Sequence, residues 1–140
     1  MATVNQTERA HQISVSILRQ GAYLIASIHA ALDDEELGRF QRDLIRQITK
    51  FRSRGVIIDV GALDVLDSFG SRTLRNLALM ARLQGAVTVI VGIQPDVAFA
   101  MVRLGLHLED VHTALGLEEG LARLDELTGA GGAHSARGSA

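Results

Sequence analysis

No cysteine and no tryptophan occur among the 140 residues, and aromatic side chains make up only 4%. Without cysteine there can be no disulfide scaffold, zinc ribbon, iron–sulfur site or thiol nucleophile. So few aromatics leave little material for a base-stacking surface or a sugar platform, and small aliphatics must build the core. A basic excess is missing too: fourteen Lys plus Arg face sixteen Asp plus Glu, for a net charge of −2. That balance argues against nucleic acid as a partner. Apolar runs such as Val87 to Val91 fall far short of the roughly 20 residues of a membrane span. Met1 to Gln12 carries Glu8, Arg9 and His11 with no apolar h-region, so no secretory signal is expected and the expected location is cytoplasmic.

What is present is enough for one core. Hydrophobic residues make up 47% and charged residues 21%, the balance of a single soluble domain of ordinary size. Ile13, Val15 and Ile17 alternate with Ser14, Ser16 and Leu18, and after Gly21 the run Tyr23 to Ile28 follows at hairpin distance, predicting two paired strands. Asp33, Asp34, Glu35 and Glu36 place negative charge where a helix begins, and Leu37, Phe40, Leu44, Ile48 and Phe51 continue at helical spacing. Val56 to Val60 reads as a strand buried on both faces. A helix is predicted over 68–84, a strand over 86–91, and a short helix from Pro95, closed by Gly105 in a left-handed cap. A weak strand near Asp110 to Thr113 and a last helix carrying Leu117, Leu121 and Leu124 complete the pattern. No internal repeat is found. The expected division is an N-terminal extension over 1–12, a domain over 13–128 and a flexible Gly/Ala/Ser tail over 129–140.

Strands joined by helices predict an α/β fold with a right-handed, mainly parallel sheet. In such sheets the working loops gather at the carboxyl ends of the strands, here Gly61 to Ser68 and Gly92 to Asp96, which should be neighbours. The first of these is the most informative stretch. A buried strand runs into an acidic loop with Asp64 and Asp67, then presents the hydroxyl of Ser68 at the start of a helix. The structural alternative is that Ser68 is a plain N-cap, accepting a backbone N–H and contributing about 1 kcal/mol. At 100° per residue Leu74, Leu77, Ala78 and Ala81 share the core side of that helix. Ser68, Arg72, Leu79 and Leu83 lie opposite, bordered by Arg75 and Arg82. Apolar side chains rimmed by arginines are either scattered surface leucines or a partner-binding patch.

Three segments carry a family resemblance: LDVLDSFGSR, MARLQGAVTVIVGIQPDVA and LGLHLEDVHTALGLEEGLARL. Over about Ile13 to Leu127 the chain resembles the STAS domains, and among them the small RsbS-type antagonists of bacterial stressosomes. The resemblance implies a STAS fold: a mixed, mainly parallel sheet with an N-terminal strand pair and four helices. It also implies a non-catalytic, cofactor-free protein that sequesters a serine/threonine switch kinase of the histidine-kinase-like ATPase superfamily. Phosphorylation of Ser68 would release that kinase, a phosphatase would reverse the step, and Asp64, Asp67, Phe69, Arg72, Arg75, Leu79 and Leu83 would contribute to partner contacts. Homo-oligomerisation and co-assembly with a sensory STAS paralogue in a large shell are implied as well. A second phosphoacceptor of the sensory paralogues falls where this chain has Ala98, Phe99, Ala100 and Met101, so one phosphorylation site is expected.

Competing readings are weaker. A free anti-sigma-factor antagonist would share the switch but not the shell. A receiver-like phosphotransfer domain would use Asp59 at the end of a central strand, but Ile28 is followed by His29 and Ala30, not by the acidic pair that holds Mg²⁺. A hydrolase with Ser68 as nucleophile, His107 or His112 as base and Asp110 as orienter lacks the G-x-S-x-G elbow, since Leu66 stands two before Ser68. The same His107, Asp110 and His112 match no helical metal-ligand spacing. No phosphate-cradling glycine motif occurs, so no nucleotide site is expected.

Overall fold

A computed structural model describes residues 14–105 and 111–130. Ile13, His107 and Asp110, the proposed extension over 1–12 and the tail beyond residue 130 lie outside the described residues. Among the described residues there are four helices and five strands: β1 (Val15–Gln20), β2 (Tyr23–Ile28), α1 (Asp34–Phe51), β3 (Gly55–Asp59), α2 (Ser68–Leu83), β4 (Val87–Val91), α3 (Pro95–Arg103), β5 (His112–Ala114) and α4 (Leu117–Thr128). They form one sheet in the order β1-β2-β3-β4-β5. β1 pairs antiparallel with β2, and the remaining pairs are parallel. The α/β expectation and its mixed, mainly parallel sheet are met.

The sequence of strands along the sheet decides where the helices go. Each parallel strand lies beside the one before it, so the three right-handed crossovers through α1, α2 and α3 all land on the same face. There Leu24, Ala26, Ile28, Val56, Ile58 and Ile90 of the sheet meet Phe40, Leu44 and Ile48 of α1, Leu74, Leu77, Ala78 and Ala81 of α2, and Val97 and Met101 of α3. The alternate side chains Ile25, Ile57, Val89 and Val91 point to the other face, where α4 covers them through Leu124. Both faces of β3 and β4 are therefore buried, which is why their sequences are continuous apolar runs rather than alternating ones. Gly120 of α4 makes this contact possible: a Cβ there would stand 2.7 Å from Val91 Cγ1.

α1 is set by its ends as much as by its stripe. Asp33 is the N-cap, accepting the Glu36 N–H at 2.8 Å while Glu36 Oε1 accepts the Asp33 N–H at 3.3 Å, a reciprocal capping box. At the far end Phe51 carries the Arg19 guanidinium 4.7 Å above its ring. Gly129, assigned above to the tail, instead closes α4 with φ +81, a left-handed cap that glycine adopts without strain. No helix among the described residues is long and apolar enough to cross a membrane.

Candidate functional site

The site is built where β3 and β4 end. Asp59 closes β3, and its Oδ1 accepts the Gly61 N–H at 2.9 Å, turning the chain sharply. The Val60 N–H donates to the Val91 carbonyl at 3.1 Å, so the first residue past β3 is tied to the end of β4. Gln94 then reaches back from the β4–α3 connection, its Nε2 donating to the Gly61 carbonyl at 2.6 Å. Gly92, with φ +77, stands where a Cβ would lie 3.1 Å from Gly61 Cα and 3.0 Å from Asp59 Oδ1. Only a residue without a side chain fits this approach. The two loops expected to be neighbours are thus bonded to one another.

From that anchor the chain runs out along an exposed arc, with Asp64, Val65, Asp67, Ser68 and Phe69 all open to solvent and Leu66 tucked partly inward. Gly70 permits the tuck, since a Cβ there would collide with Leu66 Cδ1 at 2.8 Å. Asp67, in extended conformation, is the N-cap of α2; its Oδ1 accepts the Gly70 N–H at 2.7 Å. This sets aside the structural alternative in which Ser68 itself is the cap. Aspartate and serine are both strong caps, and adjacent in sequence they cannot be ranked by propensity. Ser68 is the first helical residue, exposed, with its hydroxyl left out of the capping. The two nearest hydroxyls differ sharply: Ser71 is 3% and Thr73 6% exposed, and Thr73 Oγ1 donates to the Phe69 carbonyl at 2.8 Å.

Across from Ser68 stands α3. Leu66, Asp67 and Ser68 form one wall of an open cleft of about 720 Å³, and Asp96, Phe99, Ala100, Arg103 and Leu104 form the other. Phe99 is 69% exposed. These opposing residues were not singled out from the sequence as site residues. A signal was available: Val97 and Met101, four apart, take the buried side of α3, leaving Phe99 and Val102 outward.

The predicted partner residues on α2 and the loop before it separate into groups. Asp64, Asp67, Phe69 and Arg72 are exposed beside Ser68. Arg75 and Leu79 are only half-exposed, against the expectation of a fully solvent-facing patch. α2 packs along α1 as well as on the sheet, and Gly70, Ser71 and Thr73 join its buried set. Leu83 is exposed, but at the other end of a 16-residue helix, about 22 Å from Ser68 at the α-helical rise.

Among the described residues the competing constellations are incomplete. The Asp59 carboxylate is engaged by the loop, and among the described residues no group of three His, Asp or Glu side chains could hold a metal. His112 sits on β5 opposite Val89. Burial, then the Arg123 and Arg82 charges, hold its imidazole below the usual histidine pKa. The other two members of that set, His107 and Asp110, lie outside the described residues.

Residues 14–120 match the model of the STAS domain family. The RsbT co-antagonist protein RsbRA of Bacillus subtilis (strain 168) is 31% identical over 97 residues, 69% of this chain and 35% of the relative. The chain therefore spans about a third of the length of that curated relative. Among solved structures, a serine-to-glutamate variant of Moorella thermoacetica RsbS superposes with TM-score 0.74 at 36% identity, covering 81% of this chain and 96% of that one. A chain from the molecular architecture of the stressosome, a signal integration and transduction hub, matches with TM-score 0.67 at 34% identity over 80% of this chain and 97% of that one. By these matches the chain belongs to the STAS domain family and is similar within it to RsbS-type stressosome proteins.

Proposed function

We propose that this protein is a non-catalytic, phosphorylation-switched antagonist. Unmodified, it sequesters a serine/threonine switch kinase of the histidine-kinase-like ATPase superfamily within a stressosome-type assembly. The kinase transfers the γ-phosphoryl group of ATP to Ser68 Oγ, ADP leaves, the hydroxyl proton is lost, and the modified surface lets the kinase go. A phosphatase restores the hydroxyl. Co-assembly with a sensory STAS paralogue and with further copies of this chain belongs to the same reading, drawn from the stressosome relatives.

The observation that carries the reading is the freedom of Ser68. Its hydroxyl is exposed at the first residue of α2, relieved of capping by Asp67 and flanked by the exposed Asp64, Asp67, Phe69 and Arg72. A phosphate there adds about −1.5 to −2 charges beside two carboxylates, so any interface built on this loop is repelled without the fold having to move. The buried Ser71 and Thr73 would need local unfolding of α2 to reach a kinase active site. The test is incubation with the cognate kinase and ATP, followed by site-mapping mass spectrometry. One phosphate on Ser68 is expected; a phosphate on Ser71 or Thr73 with Ser68 unmodified contradicts the reading.

A further inference from the structure

The cleft that Ser68 shares with α3 has an uneven charge. Asp67 stands on the Ser68 wall and Asp96 on the opposing wall, with Asp64 exposed in the adjoining loop. Among the described residues Arg103, the last residue of α3, is the one cation that lines the cleft, and it has no ion pair or hydrogen bond there. Of the charges on the described residues, a phosphoryl dianion on Ser68 would face the Asp67 and Asp96 carboxylates, with Asp64 in the adjoining loop, and the Arg103 guanidinium. Beside the carboxylates alone it would turn away to solvent. A long, exposed arginine across the cleft instead offers a paired, charge-assisted hydrogen bond, the geometry in which arginine binds phosphate best.

We propose that Arg103 is the intramolecular partner of the phosphate on Ser68, so that modification draws α3 and the Ser68 loop together across the cleft. The inference rests on Ser68 being the modified residue. It adds a second consequence of the switch: the phosphate not only charges the surface but closes the cleft lined by Leu66, Phe99 and Leu104, withdrawing apolar surface from any partner seated there. Arg72, four residues after Ser68 on the same helix, is the rival cation, since side chains at that spacing share a face. It does not line the cleft, and the two arginines predict different results.

The full chain carrying phosphoserine at position 68, incorporated during translation so that no kinase is needed, is titrated by ³¹P NMR at low salt. A neighbouring cation favours the dianion and lowers the second phosphate pKa; Asp67, Asp96 and Asp64 raise it. Arg103→Gln is expected to raise that pKa by roughly 0.3 to 0.7 pH units, the size of an exposed ion pair. Arg103→Lys, which keeps the charge but not the paired hydrogen bonds, should recover only part of the shift, Arg72→Gln should move it by less than half as much, and about 1 M salt should shrink the Arg103 effect. An Arg103→Gln titration coincident with wild type, or a shift carried wholly by Arg72→Gln, overturns the proposal. The two readings fail separately: a kinase that ignores Ser68 sinks the switch and leaves this titration defined, while an unmoved titration sinks only the Arg103 partnership.

Discussion

Asp67 and Ser68 are neighbours with opposite assignments, and replacing each by alanine separates them. Asp67 Oδ1 accepts the Gly70 N–H at 2.7 Å from an extended backbone at the end of α2. Its carboxylate also complements the positive end of the helix dipole. Losing both makes Asp67→Ala cost about 1 kcal/mol, within the 0.5 to 2 kcal/mol seen for N-cap removal. Ser68 is exposed and helical, and alanine has the better helix propensity, so Ser68→Ala should lie within about 0.5 kcal/mol of wild type in either direction. For a domain of this size 1 kcal/mol corresponds to roughly 3 to 6 °C in Tm. Urea unfolding followed by far-UV circular dichroism resolves that difference if the m-values agree. Asp67→Ser, which keeps a capping oxygen, should recover most of the loss. If Ser68→Ala were destabilising by as much as Asp67→Ala, Ser68 would be sharing the cap, and its hydroxyl would not be free for modification.

Two further outcomes test the packing that positions the site. Leu77→Ala should cost about 2 to 5 kcal/mol because Leu77 is fully buried between α2 and the sheet, while Leu83→Ala, 85% exposed, should stay within about 0.5 kcal/mol; equal losses in urea midpoints would mean that the helix is rotated. Gly92→Ala should cost at least about 1 to 2 kcal/mol, since φ +77 disfavours any side chain and the new Cβ crowds Gly61 and Asp59, and amide chemical-shift changes should spread through residues 61–67; a neutral variant would refute the close approach.

The elements legible in the sequence are those whose signal is local. The stripe Leu37, Phe40, Leu44, Ile48 announces α1, and the unbroken apolar runs of β3 and β4 announce strands covered on both faces. Topology followed from handedness, and the meeting of the 61–68 and 92–96 loops followed from topology. What stayed hidden depended on tertiary context. The choice between Asp67 and Ser68 as cap turns on one backbone angle. The half-burial of Arg75 and Leu79 depends on what packs around α2, which a helical wheel drawn for one helix does not contain. The cleft was invisible because its walls, Leu66 to Ser68 and Asp96 to Leu104, are separated by a strand and a helix and meet only once β3 and β4 lie side by side.

The most direct test of the switch is kinase retention measured on three forms of the chain: unmodified, Ser68→Ala, and enzymatically phosphorylated with the phosphate mapped to Ser68. Ser68→Ala leaves the surface uncharged and offers no oxygen to modify, so it should hold the cognate kinase in the presence of ATP as tightly as unmodified protein does in its absence. The phosphorylated form should release it. If the Ser68-phosphorylated protein retains the kinase as well as the alanine variant does, the exposed hydroxyl at the head of α2 is not the switch.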